Sequence, residues 1–246
     1  RINQNYWKYD STLRSVGYSV NRRPQEIEKF SQPHYEILND VTVSDSLTVK
    51  SSLFYYTGDG FFDFDATWAD AATLRLDKLH SGIDSAAPTK AILRASVSNK
   101  HGGWIPRVVW KHTDGELTAG AELRWHRSEH WGTISYAENL PVGYNPDFRM
   151  YTYNGLRNIA SVFAREQYHN SESITTTIEA QLVSSVYAIS NERAGNIFTQ
   201  YTTTDNTTIG NGNELFRVNY LFLNPRAGVN WRIDENNSAY MSVAYT

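Results

Sequence analysis

Between Glu116 and His126 the side chains alternate with a period of two. Leu117, Ala119, Ala121, Leu123 and Trp125 fall on one side, and Thr118, Gly120, Glu122, Arg124 and His126 on the other. Extended chain sends successive side chains to opposite faces, so this stretch is a strand with one apolar and one charged face. The pattern returns as Ile174, Thr176, Ile178, Ala180 and Leu182 against Thr175, Thr177, Glu179 and Gln181. It returns again as Leu223, Pro225, Ala227, Val229, Trp231 and Ile233 against Asn224, Arg226, Gly228, Asn230 and Arg232. Pro106, Val108 and Trp110 alternate likewise with Arg107 and Lys111. No stretch shows comparable helical spacing, and β-branched and aromatic residues dominate these runs. The chain is read as all-β.

Such strands need apolar surroundings on one side and water on the other. A transmembrane barrel supplies this with lipid outside and a wet lumen inside. A sandwich supplies it with a dry core and solvent, placing Glu122, Arg124, Arg226 and Arg232 on its exterior. Connection lengths favour the barrel. Ser44–Ser46, His112–Gly115, Asn170–Ser173 and Asp234–Asn237 are short polar turns suited to hairpins. Between them run long connections, from Asp63 to His101, Trp131 to Leu156 and Ile189 to Glu214. Several such loops are unusual in a compact soluble domain, whereas outer-membrane barrels alternate short periplasmic turns with long extracellular loops. The expected strands are Gln32–Val43, Leu47–Phe62, Trp104–Thr113, Glu116–His130, Arg157–His169, Ile174–Ala188, Leu215–Ile233 and Ser238–Thr246. Several exceed the roughly 9–11 residues that cross a bilayer with tilt, and should project beyond it. Tyr and Trp near strand ends, among them Tyr55, Trp110, Trp125, Tyr168 and Trp231, suit girdles at the two membrane boundaries.

Composition removes other classes. With 23 basic against 26 acidic residues the chain carries a net charge of −3 and no basic block, so nucleic acid is not an expected partner. An aromatic content of 13% is foreign to disordered chains. The absence of cysteine excludes disulfide scaffolds, thiolate metal sites and Cys nucleophiles. No apolar run is long enough for a membrane-spanning helix, which leaves a β-barrel open.

Motifs for chemistry are weak. His126 and His130, four apart, would meet on a helix but not on a strand, so no metal site is assigned. Gly58-Asp59-Gly60 with Asp63, Asp65 and Asp70 has the acidic density of a calcium loop. Thr67 and Trp68, however, stand where that pattern wants an acid and a glycine. None of the common hydrolase, zinc-protease, phosphate-loop or dinucleotide motifs occurs. The chain is expected to be neither an enzyme nor a cofactor protein.

Three stretches resemble a known family. Phe222–Trp231 leading to Ser238–Tyr245, Leu117–His126, and Ala160–Glu166 with its polar turn and Ile/Thr-rich strand look like barrel hairpins of TonB-dependent outer-membrane receptors. The likeness extends from about Gln32 onward and lies in register, turn length and residue flavour together. It implies active uptake of a scarce ligand, such as an iron–siderophore complex, across the outer membrane of a Gram-negative-type bacterium. It implies as partners the bilayer, the imported ligand and, through an N-terminal region not seen here, the TonB complex. On this reading residues 1–246 are part of such a barrel domain without its plug, with 1–31 an extracellular loop. About eight strands in meander order fall short of the roughly 22 of such a transporter, so the chain is expected to be an excerpt. Ligand contacts are expected at the loops and rim, at Trp68, His80, Trp104, His126, Arg127, His130, Trp131 and Tyr136. Two rivals remain. A small self-contained outer-membrane barrel would pair Gln32–Val43 with Ser238–Thr246, and a secreted carbohydrate-binding sandwich would turn its apolar faces together.

Overall fold

Period-two sequence becomes strand throughout. The computed structural model describes residues 4–9, 15–20, 27–84, 88–191, 201–202, 208–209 and 214–245, and every regular element among them is a β-strand. One nine-stranded sheet contains β3 (Glu28–Ser31), β4 (His34–Ser44), β5 (Leu47–Asp65), β6 (Thr89–His112), β7 (Gly115–Glu138), β8 (Tyr151–His169), β9 (Ile174–Ser190), β12 (Glu214–Arg232) and β13 (Ser238–Ala244). Its strands follow one another in meander order from β13 to β5, which pairs with both β3 and β4. Two small hairpins stand apart. One joins β1 (Gln4–Tyr9) to β2 (Ser15–Val20), inside the stretch expected as a loop, and the other joins β10 (Tyr201–Thr202) to β11 (Thr208–Ile209). The latter lies in the connection after Ile189, most of which falls outside the described residues.

The sheet is open. Among the described residues β13 pairs only with β12, and β3 and β4 only with β5. The pairing of Gln32–Val43 with Ser238–Thr246 does not form, so the self-contained barrel is not what this chain builds. Strands β3 and β4 continue each other, since Ser31 faces Asp59 and His34 faces Tyr56 in one unbroken register. Pro33 interrupts them. Its carbonyl still accepts from the Thr57 amide at 3.4 Å, but it has no N–H to return.

Strand ends depart from expectation where alternation fails. β6 begins at Thr89, not Trp104, because Ala91, Ile92 and Leu93 are all buried. A strand covered on both faces reads as a continuous apolar run. β7 likewise continues to Glu138, and β8 begins at Tyr151. The connections shorten accordingly, to 66–88 and 139–150.

The chain divides into two compact units. A wall unit comprises Gln32–Gly58, Ser98–Glu129 and Tyr153–Thr246, and a loop unit comprises Arg1–Ser31, Asp59–Val97 and His130–Thr152. The wall unit leaves contiguous apolar side chains uncovered, which a soluble protein would bury. Register places Val162 of β8, Leu182 of β9 and Leu223 of β12 side by side on one face. That apolar face is uncovered: Ile178 is 60% accessible, Leu182 43% and Leu221 71%. Among the described residues no second sheet covers it, as a sandwich would require. The other face carries Arg165, Glu179 and Arg226 in one cross-strand row, and Lys50 paired with Asp40 at 2.5 Å. Cross-strand opposite charges stabilise a sheet by a few tenths of a kcal/mol each, about 0.2–1. The loop unit has an ordinary core instead, in which Leu74 and Leu76 of the 66–88 connection pack with Leu93, Ile134 and Met150.

Candidate functional site

The polar face of the wall unit gathers rings that are far apart in sequence. His34, Tyr56, His101 and His126 come from four consecutive strands, β4 to β7. His34 and Tyr56 stack with centroids 4.7 Å apart and planes 12° from parallel, and Tyr56 and His101 stack at 4.7 Å and 19°. Neighbouring strands lie about 4.8 Å apart, so side chains in register on one face stack ring upon ring. The Tyr56 hydroxyl and His101 Nδ1 share a hydrogen bond of 3.0 Å. His126 meets His101 edge-on at 5.4 Å.

Phe54, two residues before Tyr56 on the same face, leans on His101 at 5.5 Å and receives the Arg124 guanidinium at 5.6 Å from its ring centre. The backbone makes room for it at Gly103, where a Cβ would stand 2.5 Å from Phe54 Cζ. Arg124 in turn pairs with Glu122. The result is a row of π-faces and imidazole nitrogens bordered by paired charges, able to stack on a ring or hydrogen-bond a polar group. Among the described residues no three His, Asp or Glu side chains converge on a point where a metal ion could sit.

The loop unit holds the remaining polar clusters. Asp63 is 1% exposed and accepts from Arg94 Nε at 2.8 Å and Nη2 at 3.0 Å, with Ser135 Oγ at 3.3 Å. The Arg94 guanidinium lies 3.6 Å from the centre of the Phe61 ring. The acidic run suggestive of calcium is therefore occupied: Asp63 by Arg94, Asp65 by the Thr67 amide and hydroxyl, and Asp70 by the Thr73 amide at 2.8 Å. Asp77 accepts from the His80 amide at 2.9 Å and lies 2.8 Å from His80 Nδ1 through both oxygens.

The bond with the His80 ring, then that from the His80 amide, hold the Asp77 carboxyl below its usual range, and the Thr73 amide does the same for Asp70. Their folded pKa values lie under the unfolded ones, so the loop binds fewer protons folded than unfolded. Its stabilisation is complete above pH about 4 and is lost as pH falls through the depressed values. Hydrogen-exchange protection at the Thr73 and His80 amides should hold at pH about 6 and drop at pH about 2.5, corrected for intrinsic rates. Asp70→Asn with Asp77→Asn should remove that drop.

The residues singled out in the sequence divide between the two units. Trp68, His80, His130, Trp131 and Tyr136 belong to the loop unit. Trp68 is exposed with its ring N–H on the Asp65 carbonyl at 3.1 Å, Trp131 lies under the Arg149 guanidinium at 4.4 Å, and the Tyr136 hydroxyl donates to Glu138 at 3.5 Å. His130 is half-buried on β7. Trp104, His126 and Arg127 belong to the wall unit. Trp104 stands on the apolar face with its N–H on Ser51 Oγ at 2.7 Å, and Arg127 reaches Asn158 on that face at 2.8 Å. Only His126 joins the stacked row. His34, Phe54, Tyr56 and His101 were not anticipated, because what unites them is register between strands.

No family model and no curated protein matches the sequence. Solved structures do. The chain is similar to the ferric-catecholate import receptor Fiu of E. coli K12, with a TM-score of 0.62 and 13% identity over 90% of this chain and 36% of that one. It is similar also to the copper transporter OprC, with a TM-score of 0.62 and 11% identity over 94% of this chain and 32% of that one. The chain thus spans about a third of the length of each. One is an import receptor and the other a transporter. At these identities the likeness is one of fold: an antiparallel meander forming part of the wall of a transmembrane β-barrel.

Proposed function

We propose that this chain is part of the barrel wall of a TonB-dependent receptor in a bacterial outer membrane, and serves the uptake of a scarce ligand. The observation that carries the reading is the segregation of the wall unit's two faces, with Ile178, Leu182 and Leu221 bare on one and Arg165, Glu179 and Arg226 in a row on the other. Lipid is the environment in which that arrangement is the stable one. The fold likeness to an import receptor and a transporter supports the uptake role, and so does the sequence resemblance to TonB-dependent receptors. The lumenal row of His34, Tyr56, His101 and His126 is the surface best suited to meet a passing ring or polar group, and the loop unit would face the exterior.

The test is genetic and uses the full-length protein. A strain lacking it is grown on limiting iron supplied as a ferric catecholate, and separately on limiting copper. A growth defect on one of these nutrients is expected. It should be restored by the wild-type protein and not restored when TonB is also deleted. Equal growth with and without TonB would overturn the TonB-coupled reading.

A further inference from the structure

On β7 the apolar run of the exposed face, Leu117 to Trp125, ends at Arg127. Beside it a groove crosses β7, β8 and β9, walled by Leu123, Trp125 and Val186 and floored by Ala160 and Ser184, which face each other in register. Small residues on adjacent strands between larger ones leave a shallow apolar groove. Asn158 lines the groove as well, and Arg127 is tied to it on the side remote from the short turns. Its guanidinium bonds two neutral oxygens, the His126 carbonyl at 2.7 Å and Asn158 Oδ1 at 2.8 Å. Among the described residues no carboxylate pairs with it, and the next acid on that face, Glu129, is engaged in an interaction of its own. On the neighbouring strand β6, Gly102 lies against the Trp125 ring, 2.8 Å from a Cβ placed there, and two residues further on along these antiparallel strands the exposed Lys100 stands beside Arg127 on the same face. Asn158 fixes the fork of Arg127 without neutralising it.

We propose that Lys100, Arg127 and the groove beside them bind a phosphate-bearing membrane lipid, its headgroup phosphate on the two cations and one acyl chain lying over Ala160 and Ser184. The proposal rests on the reading that this face meets lipid. An uncompensated cation at the edge of an apolar band is costly in hydrocarbon and favourable against an anionic headgroup, at about 1 kcal/mol per Lys or Arg, a factor of roughly five. A bidentate guanidinium suits phosphate oxygens in particular.

Native mass spectrometry of the full-length protein, released from detergent with equal amounts of phosphatidylglycerol and phosphatidylcholine of matched chains, tests this. Wild type should retain the phosphatidylglycerol preferentially, unaffected by excess inorganic phosphate. Lys100→Gln with Arg127→Gln should weaken that retention about thirtyfold. Ala160→Phe should weaken long-chain lipid while leaving a six-carbon analogue unchanged. Equal retention of both lipids by wild type overturns the proposal, whether or not the variants fold. So does displacement by inorganic phosphate, or an undiminished preference in the double variant. Heat-modifiable migration of the same samples separates the two failures: an inserted barrel without lipid preference sinks this site alone, and a protein that does not insert sinks the lipid-facing reading beneath it.

Discussion

Asp63→Ala should weaken the loop unit by about 2–3 kcal/mol. The carboxylate is almost wholly buried and carries both arms of the Arg94 guanidinium, so its removal leaves that cation with only the Ser135 hydroxyl at 3.4 Å and the face of Phe61 among its described contacts. Breaking a fully buried pair costs about 3–5 kcal/mol, and the 30% exposure of the Arg94 side chain lets water recover part of that. Amides in residues 59–65 and 89–97 should then exchange roughly 30- to 150-fold faster in the full-length protein. Protection at wild-type levels would mean that the pair is incidental and that the apolar core around Leu74 and Leu76 holds the unit by itself. Asp63→Leu with Arg94→Met should recover much of the loss, because two apolar side chains leave no charge behind.

The second large effect separates lipid from water as the neighbour of the apolar face. Leu182 lies midway along β9, flanked in register by Val162 and Leu223. Leu182→Arg should lower the stability of the folded barrel in a bilayer by about 2–4 kcal/mol, the cost of a cation near the membrane midplane. Gln181→Arg, one residue away and on the other face, should change it by well under 1 kcal/mol. Urea titration of both variants in phosphatidylcholine vesicles measures the difference. A sheet whose exposed side met water would behave oppositely, tolerating Leu182→Arg or gaining solubility from it. That outcome would remove the membrane from the account.

How legible the molecule was in its sequence follows from which signals are local. β9 and β12 were readable almost to their ends, because Ile174–Leu182 and Leu223–Ile233 alternate without a break. The first half of β6 was not, since Ala91, Ile92 and Leu93 are buried together and His101-Gly102-Gly103 has the look of a turn. The glycines are there to admit neighbouring rings: Trp125 over Gly102 and Phe54 over Gly103. Function was harder to read than fold. Parity alone puts His126 and Arg127 on opposite faces and Trp104 on the apolar one. The stacked row of His34, Tyr56 and His101 depends on how far each strand is slid along its neighbour, which no single segment records. The Asp63–Arg94 pair joins positions 31 apart and had no signature beyond an unexplained acid.

The open sheet also bears on biogenesis. The outer flanks of β4 and β13 present backbone donors and acceptors with no strand to meet them. Hydrocarbon cannot satisfy such groups, and each left bare there costs several kcal/mol. These nine strands therefore cannot enter a bilayer as a finished piece. Insertion of such a sheet requires a hydrogen-bond partner along each flank, and flanks left uncovered in water invite pairing with other copies.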